Sequence, residues 1–445
     1  MNSNAKTLTK YVVPSVAAMM VNFLYVVVDG IFVGRGVGTN ALAAVNISIP
    51  YTSFVIALAS MLVMGGASVT AIRMGRGDDK GANDAFMTSA VLVAGTAAIL
   101  TLIGVFLPGP VAALSGASDA LMQNTIDYIR YYCLFAVVNG LAMLCTTFVR
   151  NDGRPGLAFA GMVSGALANI FLDWLFVFPL QMGIKGAAIA SGLGQLLSLA
   201  ILSTHFLHKK GALRVRRFSF TFALARKVLW RGMPDLITQM GTPITTLCYN
   251  YVVISALGEI GVAAYSVIGY LLTLILGVFL GVSQGIQPLI GNCFGAGDTA
   301  GERYYLKAGL ALNLGLSALI YAGLFIFGPQ VISVFNGDAE LGRIAYEAIR
   351  IYGLSFVVAS VNIIFTTYYF STKRSGHAIA IAALRGLCLN ILFILTFPSL
   401  FGAGALWWAV VAAEIGTAAV GITFLLRGGA RRPQKALAKA TGHKV

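Results

Sequence analysis

YVVPSVAAMMVNFLYVVVDGIFV, residues 11–33, decides which solvent this chain folds in. The run is long enough to cross the hydrocarbon core of a bilayer as a helix, which takes about 20 mostly apolar residues. Its one charge, Asp29, comes near the far end. Eleven more runs of this kind follow, near 47–73, 84–108, 121–149, 156–180, 184–207, 231–255, 262–292, 302–329, 342–371, 376–398 and 402–427. Over all 445 residues, 58% are hydrophobic, 11% are charged and the mean hydropathy is +0.83. That is too little charge for a water-facing surface of this size. Unbroken apolar runs, without the alternation of barrel strands, predict helices. The expected fold is therefore an all-α polytopic membrane protein with twelve transmembrane helices.

The net charge of +15 is unevenly placed. With the N-terminus inside, the inner loops receive Lys6, Lys10, Arg73, Arg76, Lys80, Arg150, Arg154, Arg303, Lys307, Lys373 and Arg374. They also receive the basic 208–231 connection and the tail from Arg427. The outer side keeps Arg35, Lys185 and Arg343, with Arg130 and Arg350 near helix starts. This asymmetry follows the positive-inside rule and predicts a multi-pass protein of the cytoplasmic membrane with both termini cytoplasmic. A nucleic-acid partner is not expected, because the basic loops carry no readout element. No cleavage pattern follows the first run, so it is read as the first span. The five cysteines fall inside apolar runs without paired spacing and read as free thiols.

The chain repeats itself at an offset of 220. Pro14 falls on Pro234, MGRGDDKG from Met74 on FGAGDTAG from Phe294, and IRYYCLFAVV from Ile129 on IRIYGLSFVV from Ile349. RPGLAFA from Arg154 falls on RSGHAIA from Arg374. The matches include Pro, Arg, Asp and Gly, which apolarity alone does not supply. Each half holds an even number of spans, so both enter the membrane the same way round, as in parallel-repeat transporters. The expected domains are a six-helix lobe over 1–207, a cytoplasmic basic linker over 208–230, a second six-helix lobe over 231–427 and a basic tail over 428–445. The substrate cavity is expected between the lobes.

Ionisable residues well inside the spans are Asp29, Asp173, Arg385 and Glu414. A central aspartate costs about 2.5–3.5 kcal/mol on insertion scales, so such groups face a bundle interior or a wet cavity. Asp29 and Asp173 each come about eighteen residues from the inner surface, counting at helical spacing. Asn169 shares the helical face of Asp173, and Ser191 is a nearby hydroxyl on the sixth span. Such an oxygen-rich pocket suits a proton or a hard cation such as Na⁺, the metal reading resting on Asp29, Asp173 and Asn169. A purely structural reading has these acids stapling helices. Against it, the offset places Asp29 on Tyr249 and Asp173 on Phe393 or, with a one-residue gap, Ile394, so the second half lacks both. Tyr249, Asn250, Gln284 and Gln287 are polar enough to line a cavity or to join helices, and Glu414 is balanced in the same way. Arg385 either faces the cavity or snorkels. No phosphate-binding loop or compact catalytic constellation is present, so neither an ATPase nor an enzyme is expected.

VDGIFVGRGVGTNALAAVN, NIFLDWLFVF, GIKGAAIAS, GMP at Gly232 and GIQPLIGNCFGAGD at Gly285 together resemble the multidrug and toxic compound extrusion (MATE) family, and within it the MepA-like branch. The resemblance covers about residues 10–427. It implies export of small cationic, amphipathic compounds in exchange for H⁺ or Na⁺, without a cofactor, by a chain acting as a monomer among membrane lipids. It puts the cation site on Asp29, Asn169 and Asp173, with Ser191 where many members carry Thr, and helix bending at Pro14. The alternative is a flippase for a lipid-linked precursor, which predicts a basic cavity where the mid-span acids favour cations.

Overall fold

The computed structural model describes residues 3–208, 211–333 and 339–429; residues 430–445 of the expected tail lie outside them. Among the described residues every regular element is helical. The first half holds α1 (Ser3–Gly36), α2 (Thr39–Gly75), α3 (Asp79–Phe106), the short α4 (Pro108–Leu114), α5 (Asp119–Leu134), α6 (Ala136–Asn151), α7 (Pro155–Val177) and α8 (Gly183–Leu207). The second half holds α9 (Phe222–Ala296), α10 (Thr299–Ser333), α11 (Ala339–Tyr352), α12 (Leu354–Ser371), α13 (Ser375–Ala383), α14 (Leu389–Phe401) and α15 (Leu406–Gly429). One π-helical turn, Leu384–Cys388, joins α13 to α14. α9 is two helices joined at Gly258, whose φ of 67° and ψ of −163° only glycine adopts readily.

Among the described residues, ten helices are long and apolar enough to span a membrane, and the α5–α6 pair, bent by 49°, makes an eleventh. The remaining expected span is the first part of α9. It starts at Phe222 rather than 231 and carries Arg226, Lys227, Arg231, Asp235, Gln239 and Asn250. That polarity keeps it below the hydropathy of its neighbours.

The repeat is written into the backbone. Gly38 and Gly258, and Gly77 and Gly297, have positive φ at the 220 spacing, as do Gly153 and Lys373. At one end Asp78 accepts the Gly81 amide at 2.9 Å and caps α3; its counterpart Asp298 accepts the Gly301 amide at the same distance and caps α10. Two six-helix lobes of like topology result.

The lobes meet along a seam of glycines. α2 lies against both parts of α9, and α1 against the second part. A methyl on Gly65 would collide with the Val228 carbonyl, one on Gly232 with Met61, one on Gly75 with Asn292 and one on Gly295 with Ile72. On α1, Val12 faces Gly285, Val16 faces Gly281 and Phe23 faces Gly277. All these approaches lie in the half of the molecule nearer the end that carries Arg73, Lys227 and Lys373, here the basic end. They stop near Phe23, about 30 Å along α1 at 1.5 Å per residue. Beyond it, on the same four helices, Val27, Ile31, Phe54, Leu247, Tyr251 and Tyr270 are exposed. Small residues let helix backbones approach closely without a hydrophobic driving force.

Polar bridges tie the seam. Ser60 Oγ donates to the Asp235 carboxylate, Ser68 Oγ to the Phe370 carbonyl at 2.9 Å, and Arg150 Nη1 to Gln284 Oε1 at 2.9 Å. The chain between the lobes is pinned to the first one: Asp152 accepts from His205 Nε2 at 2.8 Å and from the amides of Ala212 and Leu213.

Because a side chain at Gly65 has no room while one at Gly95 meets nothing within 4 Å, Gly65→Leu is expected to force the basic-end seam apart and Gly95→Leu to leave it closed. Spin-label distances between α2 and α9 at the basic end read this directly; equal distances in the two variants would refute the glycine seam.

Candidate functional site

Four first-lobe helices converge beyond the end of the seam. α1 brings Tyr25 and Asp29, spaced i and i+4 on one face, about 9 Å beyond Phe23 at helical rise. α7 brings Asn169 and Asp173 with the same spacing, α5 brings Tyr128, and α8 brings Ser191. Two close approaches set the register. Gly36 on α1 has no room for a methyl against Val177 of α7, which holds these parallel helices side by side. Gly194 on α8 would place a Cβ 2.7 Å from the Gly165 carbonyl and 2.9 Å from the Asn169 Cβ. That contact lets Asn169 Nδ2 donate to Ser191 Oγ at 3.3 Å.

The carboxyl groups of Asp29 and Asp173 lie within hydrogen-bonding reach of each other, with the Asn169 side chain beside Asp173. Tyr25 and Tyr128 are close enough to feel both charges. Both Asp173 oxygens, Asp29 Oδ1 and Asn169 Oδ1 are enclosed without a hydrogen-bond donor. Buried acceptors are normally satisfied, so four orphaned oxygens around one point ask for something positive between them. Two carboxylates alone supply only acceptors; a proton or a small oxygen-seeking cation completes the set. Asp173 is fully enclosed and Asp29 keeps part of its surface exposed, so access to the pair runs past Asp29. Tyr128 stacks on Tyr132 with ring centroids 6.0 Å apart, and Tyr132 lines a cavity of about 50 Å³ with Thr96 and Asn139.

The corresponding place in the second lobe is packed shut. The π turn inserts one residue, so beyond it Asn390 stands opposite Asn169 and Ile394 opposite Asp173. Tyr249, which the sequence suggested for a cavity wall, is fully buried instead. Its ring stacks on Tyr265 at 4.4 Å and its hydroxyl donates to the Leu406 carbonyl at 2.9 Å. Tyr249 and Ile394 share one apolar cluster where the first lobe has two acids.

The other candidates separate clearly. Glu414, proposed for the cavity, is buried and satisfied: Asn362 Nδ2 donates to Oε2 at 2.7 Å and Arg385 Nε to Oε1 at 2.7 Å. Arg385 thus neither snorkels nor stands alone, and its π turn is fixed by Thr245 Oγ1 donating to the Gly386 carbonyl. Gln284 is occupied by Arg150. Gln287 is buried at the seam with neither side-chain atom bonded, and Asn250 is half-buried. Pro14 lies inside α1, between the seam contacts of Val12 and Val16. Sequence reasoning passed over Asp235 and Arg150, both set in the seam, because each falls near a helix end where charge is cheap.

A model of the MatE family matches residues 14–175 and again 234–396, once per repeat and in the same register. The chain belongs to the MatE family. This is a family of transporters, not enzymes. Among curated relatives, the multidrug export protein MepA of Staphylococcus saprophyticus is 22% identical over 430 residues, covering 95% of this chain and 94% of its own length. MepA of Staphylococcus aureus is 21% identical over the same span. Among solved structures, an outward-facing multidrug resistance MATE transporter superposes with a TM-score of 0.90 at 23% identity, covering 96% of each chain. A transporter of the wider superfamily from Pyrococcus furiosus gives 0.88 at 24% identity over 95% of each chain. These superpositions bear out the MATE-type fold.

The side chains of the Arg385–Glu414 pair are 18% and 5% exposed. Arg385→Met leaves an uncompensated buried carboxylate and is expected to cost roughly 3–5 kcal/mol, whereas Arg385→Met with Glu414→Leu removes both charges and recovers most of it. Thermal unfolding in detergent of the two variants checks this; equal losses would mean that the pair is not an isolated buried couple.

Proposed function

We propose that the chain is a cation-coupled antiporter that exports small cationic, amphipathic organic compounds, exchanging them for H⁺ or Na⁺ bound at Asp29 and Asp173. The observation that carries this reading is the set of four orphaned oxygens on one lobe. Asn169 steers Asp173, and Ser191 fixes Asn169 through its hydroxyl. In this reading the basic end faces the cytoplasm, both termini lie there, and 208–230 is the tether between lobes that rock about the glycine seam. Pro14 gives α1 the freedom to bend between Lys10 and Phe23, because proline removes a helical hydrogen bond there.

The electrostatics give the exchange its direction. Two carboxylates in contact in a low-dielectric interior repel strongly, so the pair holds a proton or Na⁺ whenever no cargo cation is near. An ion arriving from the outer face, where the seam is open, lowers the negative charge of the pair and weakens the attraction for a cationic cargo, which leaves. Rocking then presents the ion-loaded site to the cytoplasm, where ion loss restores the charge that draws in the next cargo. Each elementary charge moved down 100 mV supplies about 2.3 kcal/mol, enough to sustain a modest concentration ratio. The relatives named as multidrug exporters support an organic cargo. The orphaned acids favour a cation over the pyrophosphate of a lipid-linked precursor.

Proteoliposome efflux of a fluorescent organic cation under an imposed pH or Na⁺ gradient tests this. Asp29→Asn and Asp173→Asn are each expected to reduce gradient-driven efflux at least tenfold. Ser191→Thr, which keeps the hydroxyl, is expected to stay near the parent rate. Undiminished efflux in both aspartate variants would rule out the coupling role.

A further inference from the structure

Three segments crowd five cations together at the basic end of the seam. α2 ends with Arg73 and Arg76, α9 opens with Lys227 and Arg231, and the turn between α12 and α13 presents Lys373. Lys373 is close enough to feel Arg76, Arg231, Lys227 and Arg73, and Arg231 feels Arg73 and Arg76. Burial and these neighbours hold the Lys373 ammonium below the usual lysine range. Little opposes the charge. Asp78 stands 3.9 Å from Arg73 Nε with half its side chain in the open, and Arg73 Nη1 is spent on the Gly81 carbonyl. Arg231 Nη1 is enclosed without an acceptor. Gly65 against Val228 and Gly75 against Asn292 bring these segments close together in the closed seam.

The repeat shows that this crowding is specific to one place. At the 220 offset Arg73, Arg76, Lys227, Arg231 and Lys373 fall on Cys293, Ala296, Thr7, Tyr11 and Gly153. At these five seam positions one basic-end corner carries five cations and the other none, while the second corner's Lys6, Lys10 and Arg154 occupy different positions. A rule that only places positive charge on the cytoplasmic side predicts no such bias between the corners. Lys373 even occupies a left-handed backbone position, φ 62°, that its counterpart Gly153 fills without cost.

We propose that this corner binds a phosphate-bearing anion, and that the anion latches the basic end of the seam shut by bridging cations of both lobes. Arg76 and Arg73 come from the first lobe, Arg231 and Lys373 from the second. Guanidinium groups suit phosphate oxygens because their fork of N–H donors matches them two at a time. With the anion absent, mutual repulsion pushes the lobes apart at this end, so occupancy biases the equilibrium on which rocking depends. The anion is either the headgroup of an acidic phospholipid of the facing leaflet or free phosphate. The assignment of that leaflet to the cytoplasm rests on the orientation given above; the site does not.

The test uses the full chain in nanodiscs of neutral phosphatidylcholine. Inorganic phosphate is titrated in one arm, and phosphatidylglycerol replaces part of the lipid in the other. Thermal midpoints and spin-label distances across the basic-end seam are read in both, at matched ionic strength. The parent chain is expected to gain stability and stay closed in at least one arm. A response to phosphatidylglycerol alone identifies the headgroup, and a response to phosphate identifies the free ion. Lys373→Gly with Arg76→Ala grafts the second corner's own residues, and Gly suits the left-handed turn. This double variant is expected to fold and to need about tenfold more of the effective anion. A parent chain indifferent to both anions, or a double variant that responds as the parent does, would overturn the proposal. Neither readout involves transport, so failure here leaves the Asp29 and Asp173 assay standing, and the reverse also holds.

Discussion

Two carboxyl groups set within reach of each other, one enclosed and one half-buried, leave three oxygens without a donor and ask for something positive between them. That constraint organises the first lobe. It accounts for parallel α1 and α7 locked by Gly36 against Val177, and for α8 brought onto α7 at Gly194 and Gly165. It also explains why Asn169, held by Ser191, turns an amide toward Asp173. In hydrocarbon or in a dry core the same acids would be a pure liability. Placed just beyond the closed part of the seam, with Asp29 partly open, they carry the exchange site proposed above.

The two lobes share a frame but divide the labour. Helix caps, glycine turns and the loop motif after α2 and α9 recur at 220, down to the capping distances of Asp78 and Asp298. Where the first lobe opens a polar pocket, the second stacks Tyr249 on Tyr265 and closes Ile394 into the same cluster. Its ion pair joins Arg385, on the π turn that shifts the register of α14, to Glu414 on α15. Such an ion pair stiffens a lobe without exchanging anything. In the proposed reading only the first lobe exchanges an ion, so only one side of the cleft changes its attraction for cargo.

The spans, the repeat and the acid pair were legible because each leaves a one-dimensional trace: apolar length, a constant offset, a charge where hydrocarbon forbids one. What stayed hidden depends on which way a helix face points. Tyr249 reads as amphipathic in any sequence, and only packing shows that its ring stacks inward and its hydroxyl finds the Leu406 carbonyl. Glu414 and Arg385 lie 29 residues apart and meet through a π turn whose only sequence trace is the one-residue slip that leaves Ile394 opposite Asp173. Asp235 and Arg150 stand near helix ends, where charge normally means water; here those ends are folded into the seam against Ser60 and Gln284. The polar first part of α9 reads as a weak span for the same reason.

Infrared difference spectroscopy of the carboxyl C=O stretch, recorded as a cationic substrate or Na⁺ is added to the purified protein, tests the central claim most directly. The account predicts loss of a protonated-carboxyl band on addition, and its absence or shift in Asp173→Asn. A spectrum in which no carboxyl changes state when cargo or ion binds, or in which the change survives in that variant, would contradict it.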